Sequence, residues 1–79
     1  MSVKKTVEKK DVVSKETKEG IIKTFIQQMI NAIYASTIQH KVLKNVEDKP
    51  GMLEIEKVLV KQERMKLAYE KALMEVEKE

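Results

Sequence analysis

Residues 45–52 read Asn-Val-Glu-Asp-Lys-Pro-Gly-Met (NVEDKPGM), and this stretch holds the only proline and one of the two glycines of a 79-residue chain. Proline locks its own φ, donates no amide hydrogen bond and biases the residue before it, Lys49, away from the helical region. A helix arriving from the N-terminal side should therefore end between Asn45 and Asp48. Proline is also well suited to the first turn of a new helix, whose positive dipole end would have Glu54 and Glu56 nearby. The stretch is short enough to reverse the chain direction. No other segment shows strand-like alternation between turn signals, so the fold class is all-α.

Downstream of the break, residues 53–79 (LEIEKVLVKQERMKLAYEKALMEVEKE) fall into rows of seven. At 100° per residue the main apolar seam collects Ile55, Val58, Leu59, Met65, Tyr69, Ala72, Leu73 and Val76, with Gln62 and Lys66 set into it. This is a coiled-coil-like heptad. Ile55, Gln62, Tyr69 and Val76 occupy one core position, and Val58, Met65 and Ala72 the other. A second apolar file, Leu53, Val60, Leu67 and Met74, runs nearly opposite the seam. Beside it stand a column of acids (Glu56, Glu63, Glu70, Glu77) and a column of bases (Lys57, Arg64, Lys71, Lys78).

Upstream of the break, Ile21, Ile22, Phe25, Ile26, Met29, Ile30, Ala32 and Ile33 cover roughly half of a helical cylinder, wider than the ~100° stripe of a surface helix. From Tyr34 the pattern moves to a different side, giving the file Tyr34, Ile38, Val42 and Val46, with Ser36 and Thr37 at the changeover. Residues 24–40 contain no Asp, Glu, Lys or Arg, in a chain that is 37% charged, and read as a segment surrounded by protein.

These patterns predict a helix over about 17–45, a loop over about 46–49 and a helix over about 50–78. Two rods of ~28 residues, each about 42 Å long at 1.5 Å per residue, match in length. A tight loop joins them into an antiparallel two-helix hairpin. Its core is expected to use Ile22, Phe25, Ile26, Met29, Ile30 and Ile33 against Ile55, Val58, Leu59, Met65, Tyr69, Leu73 and Val76. Residues 1–16 (MSVKKTVEKKDVVSKE) lack an aromatic residue and a broad apolar face, and read as a flexible Lys-rich arm.

A chain of this size makes at most one small domain, and a lone core supplies only ~3–5 kcal/mol before a staple is added. With no cysteine there is no disulfide and no thiolate metal site, and with His40 as the only histidine there is no metal cluster to assemble. Self-association is the staple that remains. A hairpin needs one apolar stripe per helix, whereas each helix here has two, and contiguous apolar patches are rarely left in water. The Leu53, Val60, Leu67, Met74 file and the Tyr34, Ile38, Val42 file are therefore expected to be protein interfaces. The assembly would be a dimer or higher helical bundle.

The charge distribution points the same way. Residues 1–20 carry six lysines against four acids, residues 21–46 three lysines and no acid, and residues 47–79 seven bases against nine acids. Oppositely charged halves favour packing on each other, or on each other's copies, over a single basic face for DNA. The start of the chain leads into charge rather than an apolar stretch, and no run reaches the ~20 apolar residues of a membrane span. A cytoplasmic (or otherwise intracellular) protein without a membrane partner is expected.

Chemistry finds little to work with. Asp11 and Asp48 are the only aspartates, each Glu of the column has a basic neighbour, and Gly20 and Gly51 stand alone rather than in a phosphate loop. No enzyme activity, cofactor or small-molecule substrate is expected. The sequence reads as a small homo-oligomeric adaptor, scaffold, assembly factor or inhibitor that binds itself and another protein. Its brevity and Lys/Glu/Ile richness suit a viral or mobile-element accessory protein as readily as a bacterial or archaeal one. The alternative is a nucleic-acid-binding oligomer whose arm follows phosphates with Lys4, Lys5, Lys9, Lys10, Lys15 and Lys18. Against that stand the interleaved acids, the lone arginine and the lack of stacking aromatics near the lysines.

Overall fold

The computed structural model describes residues 12–79. Among them are two helices, α1 (Lys15–Asn45) and α2 (Lys49–Glu77), and no strand. The greater part of the predicted arm, with Lys4, Lys5, Lys9 and Lys10, lies outside the described residues. Its last two residues, Lys15 and Glu16, belong to α1.

α1 starts where Ser14 caps it. The Ser14 Oγ accepts from the Thr17 amide at 3.1 Å and donates to the Thr17 hydroxyl at 2.8 Å, satisfying one of the first-turn amides that have no helical partner. Glu16 adds negative charge at the positive end of the dipole. The helix then continues unbroken through Ser36 and Thr37, where the Thr37 hydroxyl donates to the Ile33 carbonyl at 2.8 Å.

The end of α1 is built by Glu47, whose φ of 59° is left-handed. That turn lets the Glu47 amide donate to the Lys44 carbonyl and the Asp48 amide to the Leu43 carbonyl, the two bonds of a Schellman ending. Asp48 at once caps α2, its Oδ1 accepting from the Gly51 amide at 3.0 Å. The connection is thus Val46–Asp48, and α2 starts at Lys49, one residue ahead of Pro50. Lys49 is helical despite preceding a proline because the Asp48 cap fixes the first turn.

α1 and α2 pack antiparallel along their lengths. At one end the Lys18 ammonium meets Glu79 at 3.0 Å and the Lys15 ammonium donates to the Glu77 carbonyl at 2.9 Å. Nearer the loop, His40 Nε2 and Glu56 Oε2 lie 2.9 Å apart across the helices. Between these, the rings of Phe25 and Tyr69 stack with centroids 5.4 Å apart.

Burial recurs at alternating intervals of four and three residues. On α1 this series is Ile22, Ile26, Met29, Ile33, Ser36, His40 and Leu43, flanked by half-buried Ala32 and Thr37; on α2 it is Met52, Ile55, Leu59, Gln62, Lys66, Tyr69, Leu73 and Val76, flanked by half-buried Glu70 and Ala72. One core column of α2 (Ile55, Gln62, Tyr69, Val76) falls where the sequence places it. The second is Met52, Leu59, Lys66 and Leu73. Val58 and Met65 stand at the seam's open edge instead, 41% and 38% exposed, with Phe25 and Ile30 similarly outward at 40% and 42%. The reason is geometric. Both columns step by threes and fours, but α1 lies over the Met52 and Leu59 side of α2, so Lys66 rather than Met65 turns inward, and it lays its aliphatic stem in the seam while its ammonium reaches Glu70 at 3.1 Å.

Candidate interaction faces

The seam leaves much apolar surface outside. Only Val76 and Ser36 are buried among the described residues, and no side chain is fully enclosed. Two helices touch along one line, so every inward side chain keeps one flank in solvent.

Around the α2 cylinder the order of columns is fixed by the seven-residue repeat. From the seam residues Leu59 and Lys66 the surface passes to the Glu column, then to Leu53, Val60, Leu67 and Met74, then to the Lys/Arg column. At 100° per residue the acids lie about 60° to one side of the apolar file and the bases about 40° to the other. The file is open along its whole length, with Leu53 59%, Val60 49%, Leu67 64% and Met74 58% exposed. The structure thus places all four predicted interface residues of α2 on one outer line, which drifts about 60° around the helix from Leu53 to Met74.

The charged columns are partly used within the chain. Glu56 is taken by His40, Glu70 by Lys66, and Lys57 leans 3.8 Å from Glu54. Glu63, Glu77, Arg64, Lys71 and Lys78 form no side-chain ion pair with any described residue.

On α1 the predicted file is also outward, with Tyr34, Ile38, Val42 and Val46 all exposed. It runs into the open flank of the seam. Ile38 and Val42 line a shallow groove of about 330 Å³ together with Gln39, Leu43 and Ile55. On the other flank, Leu67 of the α2 file joins Ile30, Ile33, Glu63 and Lys66 around a groove of about 410 Å³. The extra files are therefore continuous with the half-open core and do not form isolated patches.

Sequence reasoning missed Leu43 and Met52, which close the seam next to the loop, and Ser36, the most buried polar residue at 5% exposure. A signal existed for the first two: Met52 is one heptad before Leu59, and Leu43 is two heptads after Met29. Ser36 lies on the same column, one heptad after Met29, but a small hydroxyl residue reads as polar surface until its helix phase is fixed.

Of the lysines assigned to a nucleic-acid arm, Lys15 and Lys18 sit in the first turn of α1 and hold the last residues of α2. No group of three or more His, Cys, Asp or Glu among the described residues is arranged to hold a metal ion, and no helix is long and apolar enough to cross a membrane. Comparison with protein-family models, curated proteins and solved structures finds no match to this chain.

Proposed function

We propose that the protein works by protein–protein association, as a homo-oligomeric helical unit that acts as adaptor, scaffold or inhibitor. The observation that carries this reading is the imbalance between core and surface. The packed hairpin fully encloses no side chain, while fifteen large hydrophobic residues of the described chain stay exposed. A pair of helices with so little enclosed surface is marginal alone, and association supplies the missing burial.

The test is sedimentation of the full chain at low micromolar concentration, with and without a paired substitution of Val60 and Leu67 by glutamate. The wild type should sediment as an oligomer. The doubly substituted chain should stay helical by circular dichroism yet dissociate, because a charge on a desolvated face is costly and on a solvated face nearly neutral. A wild-type chain that is a stable 9 kDa monomer would exclude the reading.

A further inference from the structure

We infer that the outer face of α2 seats a second copy of this chain, parallel and in register, about a two-fold axis that runs along the helices; this rests on the homo-oligomeric reading above. The premise is the asymmetry of the face. Leu53, Val60, Leu67 and Met74 form one exposed line, bordered on one edge only by acids and on the other only by bases.

A two-fold pair applies the same face twice, and two orientations are open to it. When the helices run parallel, the rotation carries the acidic edge of one copy onto the basic edge of the other. Glu56 then stands across from Lys57, Glu63 from Arg64, Glu70 from Lys71 and Glu77 from Lys78, each pair offset by a single residue, about 1.5 Å in height. Both edges of the contact gain this set. When the helices run antiparallel, acid faces acid along one edge and base faces base along the other. Exposed ion pairs add little affinity, so the charges select the orientation while the apolar line supplies the association.

Nothing in the hairpin opposes this arrangement. The centre of the seam that holds α1 lies roughly 130° around α2 from the apolar file, so α1 does not cover the face. Aligning two α2 dipoles carries little penalty, because each α2 already runs against its own α1. Glu63 and Arg64, at the middle of the face, are free of ion pairs with the described residues and available to the partner. The pair would have polarity, with both Pro50 loops at one end and both Lys15–Glu77 junctions at the other.

The absence of cysteine makes the test clean, since L53C and M74C each introduce one thiol. The two sites are 21 residues apart, about 31 Å along α2, beyond the reach of a short bis-maleimide. In the full chain, L53C and M74C should each cross-link to themselves, and a mixture should give no cross-link between the two sites. Cross-linking in the mixture alone would overturn the parallel orientation. Absence of every cross-link in a chain that sediments as an oligomer would overturn the face while leaving association standing; a monomer would overturn both. Charge reversal gives an independent readout. E63K and R64E should each weaken self-association roughly tenfold, and the two mixed should restore it as a heterodimer. Strengthening of self-association by the neutral E63Q would mean that acid faces acid, and would overturn the inference.

Discussion

Glu47 carries the one positive φ among the described residues, at 59°, a conformation that a side chain with Cβ enters at a cost. The hydrogen bonds it enables end α1 and start α2, so the strain is held by the turn. Glu47→Gly should stabilise the chain by about 0.5–1 kcal/mol, after the greater freedom glycine gives the unfolded state is subtracted. A thermal melt checks it, and an unchanged or lower midpoint would be the contrary result. The two glycines should answer oppositely to alanine. At Gly20 a Cβ meets nothing within 4 Å, and Gly20→Ala should gain about 0.5–1 kcal/mol of helix propensity. At Gly51 the same atom would lie 2.6 Å from Asp48 Oδ2 and 3.1 Å from Leu43 Cδ2. Gly51→Ala should therefore displace the cap and lower stability by about 0.5–1 kcal/mol, measured in the same melts. The position of the break was legible from Pro50 and Gly51. That Glu47 would take the left-handed turn was not, since the residues that usually do so, Gly or Asn, stand at 51 and 45.

At the scale of the helices, the two packed rods were legible in the sequence, while one core column was shifted by a residue. Hydropathy prefers Val58 and Met65 to Lys66, yet packing follows the helix phase set by the partner, and Lys66 has a stem long enough to comply. The middle of the seam is consequently polar. Midway between the His40–Glu56 and Phe25–Tyr69 contacts, Ile33 and Gln62 come to the same level, and Gln62 Oε1 is buried there without a hydrogen-bond partner. An unsatisfied buried acceptor loses its hydration with no return. Gln62→Leu should therefore stabilise the hairpin by about 1 kcal/mol, seen as a higher urea midpoint at unchanged slope. Such polar core positions serve to fix register in other helical assemblies, so this gain should come with a less uniquely aligned contact. A lower midpoint would show that Gln62 finds its partner in the assembly.

For the molecule as a whole, the competing ideas are association through apolar helix faces and binding of phosphate backbones by lysines, and the structure separates their predictions. Lys15 and Lys18 are spent on the end of α2, and removing either charge should loosen the junction between the helix ends and register in stability rather than in binding. The lysines left for an arm are Lys4, Lys5, Lys9 and Lys10, interleaved with Glu8 and Asp11. Deleting residues 1–13 removes them and keeps the Ser14 cap, so the hairpin itself is preserved. An arm that neutralises four phosphates of a duplex gives a slope of log affinity on log salt near −3.6, roughly −0.9 per phosphate, and the deletion should abolish it. The association reading predicts instead a weak response to duplex and single strand at physiological salt, the same with and without residues 1–13, and an oligomer that survives the deletion because its faces lie on α1 and α2. A steep slope that vanishes with the segment would transfer the function to the lysines and leave the apolar faces as the means of pairing two such segments.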